Sequence, residues 1–82
     1  MGYSLIRVRV ILHSVLRELL PEETGGKTDL DLLEGSSILD VAHKLNLPDH
    51  YNVSVNNKLE RDHHRELRDG DELRFFRPSA GG

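Results

Sequence analysis

Apolar and polar residues alternate across residues 4–12, which sets Ile6, Val8, Val10 and Leu12 on one face and Arg7 and Arg9 on the other. A period of two is that of a half-buried strand. Val15, Leu16, Leu19 and Leu20 then recur at helical spacing until Pro21 stops the pattern, so a short helix or turn is expected there. Residues 22–27 form a polar loop carrying Gly25-Gly26. Beyond it Thr28, Leu30 and Leu32 alternate with Asp29 and Asp31, which predicts a second strand paired with the first and ended by Gly35. Ser37, followed three residues on by Asp40, is a capping pair for a helix whose apolar positions are Ile38, Val41, Ala42 and Leu45. That helix is expected to stop near Asn46, before Pro48. Val53 and Val55 mark a third strand, Asn56-Asn57 a tight turn, and Leu59 the start of a return strand. Asp69-Gly70 signals another turn, after which residues 72–77 read as a last strand with Leu73 and Phe75 inward and Arg74 and Phe76 outward. Pro78 ends it, and Ser79-Ala80-Gly81-Gly82 offers nothing to pack and is expected to be a mobile tail. The predicted core is Val8, Val10, Leu30, Leu32, Ile38, Val41, Leu45, Val55, Leu73 and Phe75.

This order suggests an α+β fold, a sheet with one helix across a face. At 82 residues there is room for one domain, placed at residues 1–77, with residues 78–82 as the tail. A content of 37% hydrophobic and 30% charged residues is that of a chain that folds rather than a disordered one. The absence of cysteine removes disulfides, cysteine-based metal sites and thiol nucleophiles, and suits a reducing, cytoplasmic setting. A net charge of −3 argues against a nucleic-acid binder and favours protein partners. No stretch approaches the roughly 20 apolar residues of a membrane span, and neither a signal-peptide pattern nor a myristoylation motif is present at the start. Of the five histidines, His63 and His64 are adjacent, but neighbouring side chains diverge on an extended loop, so a solvated loop rather than a metal site is expected. A Ser-His-Asp set has no nucleophile-elbow spacing, and so small a domain offers little pocket; no intrinsic active site is expected.

The order of elements resembles the β-grasp of ubiquitin, a mixed sheet of four to five strands under one main helix. Leu67-Arg68-Asp69-Gly70-Asp71-Glu72-Leu73, followed by Phe75-Phe76-Arg77-Pro78-Ser79-Ala80-Gly81-Gly82, resembles its MoaD/ThiS-type sulfur-carrier branch, and within it the small subunits of molybdopterin synthase. Leu16-Arg17-Glu18-Leu19, Glu34-Gly35-Ser36-Ser37 and Val53-Ser54-Val55-Asn56 extend the likeness over the whole chain. Thiamine-pathway carriers share the Gly-Gly but are typically shorter and usually lack the proline approach to it. Two departures stand out: Asn57 replaces a residue of the usual Asn-Gly turn, and His63-His64-Arg65-Glu66 fills the stretch before the final turn.

The resemblance implies a chemistry for the tail. An α-carboxylate is ionised at neutral pH and a poor electrophile, so it must first become an acyl-adenylate. The adenylating enzyme, similar to ubiquitin-activating enzymes, would supply the ATP; the carrier itself binds no cofactor and no metal. Gly81 and Gly82 lack side chains and could thread a narrow channel in that enzyme. A sulfur donor would displace AMP to leave a thiocarboxylate on Gly82, which the large synthase subunit would use to build molybdopterin. The other readings are a thiamine-type or other sulfur carrier, and a ubiquitin-like interaction or conjugation module.

Phe76 resembles the exposed aromatic with which this family docks its partners, and Arg74, Arg77 and Pro78 lie beside it in sequence. First and last strands are neighbours in a β-grasp sheet, which would add Arg7 and Arg9 to the same face. Two uses of those arginines stand open: a basic docking surface, or cross-strand pairing with Asp29 and Asp31. Arg74 and Arg77 have no obvious acidic neighbour in sequence order.

Overall fold

The first alternating segment forms β1, Leu5–Leu12, and the second forms β2, Lys27–Leu33, antiparallel to it with Val8 opposite Leu30. The computed structural model describes residues 3–78. Asn52–Val55 (β3) and Lys58–Glu60 (β4) make a hairpin, and Glu72–Phe76 (β5) lies between β1 and β3. The five-stranded sheet runs in the order β2-β1-β5-β3-β4, parallel between β1 and β5 and antiparallel elsewhere. The helix α1, Ile38–Lys44, completes the α+β, ubiquitin-like β-grasp that the order of elements foretold.

Its start is built as the sequence required. Ser37 Oγ accepts from Asp40 N at 3.2 Å while Asp40 Oδ2 accepts from Ser37 N at 2.8 Å, a reciprocal capping box. The next free N–H groups of the helix, on Ile38 and Leu39, donate to the carbonyls of Arg65 and His63 at 3.2 and 2.9 Å. The His63-His64-Arg65-Glu66 departure therefore closes the helix N-terminus with main-chain atoms. Its side chains differ from the expected solvated loop at two positions: the His63 ring stacks on Tyr51 at 4.7 Å and is half-buried, and half-buried Arg65 donates to Glu60 Oε1 at 3.1 Å, while His64 is exposed.

Strand parity decides the core. Ile6, Val8, Val10 and Leu12 of β1, Val53 and Val55 of β3, and Leu73 and Phe75 of β5 point inward and meet Ile38, Val41 and Ala42 of α1. Leu30 and Leu45, expected in the core, are only half-buried, because β2 is an edge strand and Leu45 follows the last turn of α1. Buried Leu16, Tyr51 and Leu67 come from connecting segments and complete the cluster. Between β1 and β2 the expected short helix is 3-10, Ser14–Leu19, and the polar loop holds a second 3-10 turn, Glu22–Thr24. No helix among the described residues is long and apolar enough to cross a membrane.

Candidate functional site

β5 carries the candidate docking residues, and its position in the middle of the sheet determines what surrounds them. Along β5 burial alternates strictly: Leu73 and Phe75 are fully buried, while Glu72, Arg74 and Phe76 are half-buried on the outer face, away from α1. Pairing places Ile11 and Ser54 on either side of Arg74, and Asn52 beside Phe76, with Leu59 of β4 one strand further out. These neighbours were not singled out in the sequence, although parity carried through β1 and β3 assigns each to this face. Ile11 is the unexpected member, since it points outward by parity yet is only 7% exposed. Leu59, by contrast, is 56% exposed. The outer face around Phe76 thus offers apolar surface next to a guanidinium.

The electrostatics of this face correct one expectation and decide between two others. Arg74 does have an acidic neighbour: its Nη2 donates to Glu72 Oε1 at 3.2 Å, two residues back on the same side of the strand. Its Nε is buried and has no acceptor among the described residues. Arg7 and Arg9 are not free. Arg7 Nε and Nη2 donate to the two carboxylate oxygens of Asp31 at 2.9 and 3.3 Å, and Arg9 Nε donates to Asp29 at 3.3 Å. The Arg7 hydrogen bond, followed by its charge, holds the Asp31 carboxyl below the usual carboxylate range, and the Arg7 guanidinium is raised in return. Cross-strand pairing is therefore what these arginines do. Arg77 and Pro78 are exposed at the end of the described residues, whereas Gly81 and Gly82, on which the carrier chemistry would fall, lie outside them.

The approach to β5 is held by a polar lock. Asn56 and Asn57 both adopt positive φ, 52° and 72°, the conformation that a two-residue hairpin turn needs and that Asn tolerates. Asn56 then reaches across to the start of β5: its Nδ2 donates to Asp71 Oδ1 and its Oδ1 accepts from Glu72 N, both at 2.9 Å. The other carboxylate oxygen of Asp71 accepts from Arg68 N at 2.8 Å, so this buried side chain is satisfied on both oxygens. Meanwhile Asp69 Oδ1 accepts from Arg7 N at 2.7 Å, and the Asp71 carbonyl accepts from Arg9 N at 2.9 Å. The turn before β5 is thereby fixed to β1 on one side and to the β3–β4 turn on the other. Among the described residues no group of three His, Asp or Glu side chains is placed to hold a metal ion.

A mixed sheet with adjacent parallel first and last strands, one capped helix, and a partly apolar outer face on the last strand define a ubiquitin-like β-grasp domain. The family model for ThiS matches residues 10–82, and the chain belongs to the ThiS family. No curated protein matches the chain significantly. Among solved structures it is similar to a provisionally assigned molybdopterin converting factor subunit 1 from Pyrococcus furiosus, with a TM-score of 0.73 at 21% identity over 90% of this chain and 99% of that one. Small archaeal modifier protein 1 from Haloferax volcanii gives a TM-score of 0.73 at 20% identity, over 90% of this chain and 99% of that one. The complex of subunits 1 and 2 of molybdopterin-converting factor from Helicobacter pylori gives 0.59 at 15% identity, over 94% and 100%. At these identities the likeness is one of fold.

Proposed function

We propose that the chain is a sulfur carrier that donates sulfur in molybdopterin biosynthesis, with residues 1–77 as the folded carrier and residues 78–82 as the arm. In this reading the Gly82 carboxylate attacks the α-phosphorus of ATP on an adenylating partner and releases pyrophosphate. A sulfide-level donor then adds to the acyl carbon, AMP leaves, and a thiocarboxylate remains on Gly82. The large synthase subunit consumes that sulfur. The observation that carries the reading is the family match, which runs through Gly81 and Gly82. The choice of molybdopterin rests on the proline-containing approach to Gly-Gly, and the H. pylori complex is a precedent for a large-subunit partner.

Phe76, Arg74, Arg77 and Pro78 form the docking surface in this reading. Phe76 supplies apolar area, with Leu59 exposed two strands away, and an acceptor brought by the partner would engage the Arg74 guanidinium on the part of the side chain that stays 38% exposed beside Glu72. The chain contributes position and a reactive end, while ATP is bound by the adenylating partner.

The test is intact mass spectrometry after incubation with a candidate adenylating enzyme, ATP and a sulfur source. Replacement of one oxygen by sulfur on the peptide ending in Gly82 is the expected product. Deletion of Gly82, extension beyond it, or Gly81→Val should abolish ATP–pyrophosphate exchange while leaving the fold unchanged, because no core residue is altered. Full exchange by the extended protein would refute the carrier reading. A second reading is favoured by the equal fold likeness to small archaeal modifier protein 1: the activated Gly82 would be conjugated to a lysine of another protein. An isopeptide-linked adduct in place of a thiocarboxylate would identify it.

A further inference from the structure

β2 ends the sheet on the side opposite β4, and its free edge is built to accept something. Leu12 N donates to Gly26 O at 2.7 Å and Glu34 N to Ser4 O at 2.9 Å. By the alternation of an antiparallel ladder, Thr28, Leu30 and Leu32 therefore spend their main-chain groups on β1. The N–H groups of Lys27, Asp29, Asp31 and Leu33 face the open edge, and no hydrogen bond among the described residues uses them. The carbonyl of Leu33 is occupied by Ser36, and that of Asp29 receives only a long 3.4 Å bond from Thr28 Oγ1. Neither proline nor glycine interrupts the seven residues of β2. Natural edges are usually short, bulged or covered. Leu30 is half-buried on the inner face of this edge, with part of its side chain uncovered.

The outer face of the same edge carries two carboxylates, Asp29 and Asp31, beside the ammonium of Lys27. Asp29 and Asp31 each engage one arginine of β1, and their side chains remain 45% and 54% exposed. A carboxylate has lone pairs for about four hydrogen bonds, so capacity remains for a second cation on the open side. A second copy of the chain is a poorer occupant: the antiparallel registers that overlap the two edges most, centred on Asp29, Leu30 or Asp31, each set a carboxylate opposite a carboxylate, and the one centred on Thr28, which sets Lys27 opposite Asp29, joins only residues 27–29. We propose that the β2 edge is a docking site for an extended segment of a partner protein, added as a sixth strand, with Arg or Lys opposite Asp29 and Asp31 and an apolar residue between them opposite Leu30. Main-chain bonds supply the attachment and the alternate side chains supply the selectivity. β1 already shows the pattern, since Arg7 and Arg9 flank Val8 against the same three residues of β2. Because β1 separates this edge from β5, a strand seated here leaves Phe76 and Arg74 uncovered, and both sites could be occupied together.

The test is an amide-shift titration of the full 15N-labelled chain with the capped peptide Thr-Arg-Val-Arg-Val-Thr and its Glu-for-Arg counterpart. The Arg peptide should shift the amides of Lys27, Asp29, Asp31 and Leu33 and slow their hydrogen exchange. Two cross-strand charge pairs are worth enough that Asp29→Asn combined with Asp31→Asn should weaken binding about three- to tenfold. The Glu peptide should bind more weakly still. Methylating the edge-facing peptide nitrogens should remove binding without any change to the protein. Equal shifts with both peptides, shifts centred on β5 or β4, insensitivity to N-methylation, or no shift at millimolar peptide would each overturn the proposal.

Discussion

Phe75 and Phe76 are adjacent in sequence and opposite in consequence, so a matched pair of truncations separates folding from docking. Phe75 is 0% exposed, pairs with Val53 and Leu12 across the two neighbouring strands, and meets the Tyr51 ring edge-on at 5.3 Å. Phe75→Ala removes that burial and leaves a cavity, for about 3 to 5 kcal/mol, and the aromatic contact places the loss toward the upper end. An 82-residue domain has about 4 to 12 kcal/mol in all, so the variant should be marginal or unfolded at 37 °C. Phe76→Ala sits on the half-exposed face and should cost about 1 kcal/mol or less in stability. Urea unfolding followed by circular dichroism reads both. With a slope of about 1 to 1.5 kcal/mol/M, the Phe75→Ala midpoint should fall by about 2 M or more and that of Phe76→Ala by well under 1 M. Calorimetric titration with the adenylating partner should then show Phe76→Ala losing about 2 kcal/mol of affinity, roughly thirtyfold. If Phe75→Ala unfolds with the parent, or Phe76→Ala loses more stability than affinity, the assignment of inner and outer faces on β5 is wrong.

Asp71→Ala should cost about 2 to 4 kcal/mol, because it strips acceptors from Arg68 N and Asn56 Nδ2, and a double-mutant cycle with Asn56→Ala should show coupling; strict additivity in thermal unfolding would refute the lock. Asp31 titrates below its unfolded value of about 3.9, so the stability it contributes is present above that value and is lost as pH falls through the folded one. Arg7→Gln should return the Asp31 carboxyl to the ordinary range by NMR titration and flatten this segment of the acid-unfolding profile. Gly26→Ala should destabilise more than Gly25→Ala, since both residues hold positive φ but a Cβ at 26 would stand 2.7 Å from Leu12 O and 2.9 Å from Arg17 Cγ, whereas one at 25 meets nothing within 4 Å; equal melting shifts would show that the backbone alone sets the cost.

Local patterns with a short reach were legible in the sequence. Ser37 and Asp40 announce a capping box because both halves lie within one turn, and the alternation in β1 and β5 fixes faces because its period is two. Asn56-Asn57 shows its turn for the same reason. What stayed hidden depends on partners distant in sequence. Tyr51 and Leu67 carry no periodicity of their own, and the helical spacing around Leu16 did not say which of its four apolar residues is buried; all three are buried by the elements that close over them. Asp71 reads as a turn residue and becomes a buried acceptor only once the β3–β4 turn arrives. Leu30 and Leu45 fit their patterns but lie at an edge and beyond a helix end, so pattern overstated their depth. Of the candidate docking set, Phe76 was visible by parity, whereas the Arg74–Glu72 pair needed the rule that residues two apart share one face of a strand. The role of Gly81 and Gly82 came from resemblance, since Ser79-Ala80-Gly81-Gly82 offers no alternation of apolar and polar residues to read.

β5 comes last among the strands in sequence and stands between β1 and β3 in space. During synthesis, β1 with β2 and β3 with β4 can pair only as marginal two-stranded pieces, and they cannot join into one sheet until residues 72–76 leave the ribosome. The closing contacts between β1 and β5 span most of the chain, and such long loops make folding slow relative to helical domains of equal size. The arm follows directly on that closing strand. An unfinished chain therefore lacks the assembled outer face, and under the proposed function an activating enzyme that needs both that face and the residues after it would select finished molecules without a separate inspection step.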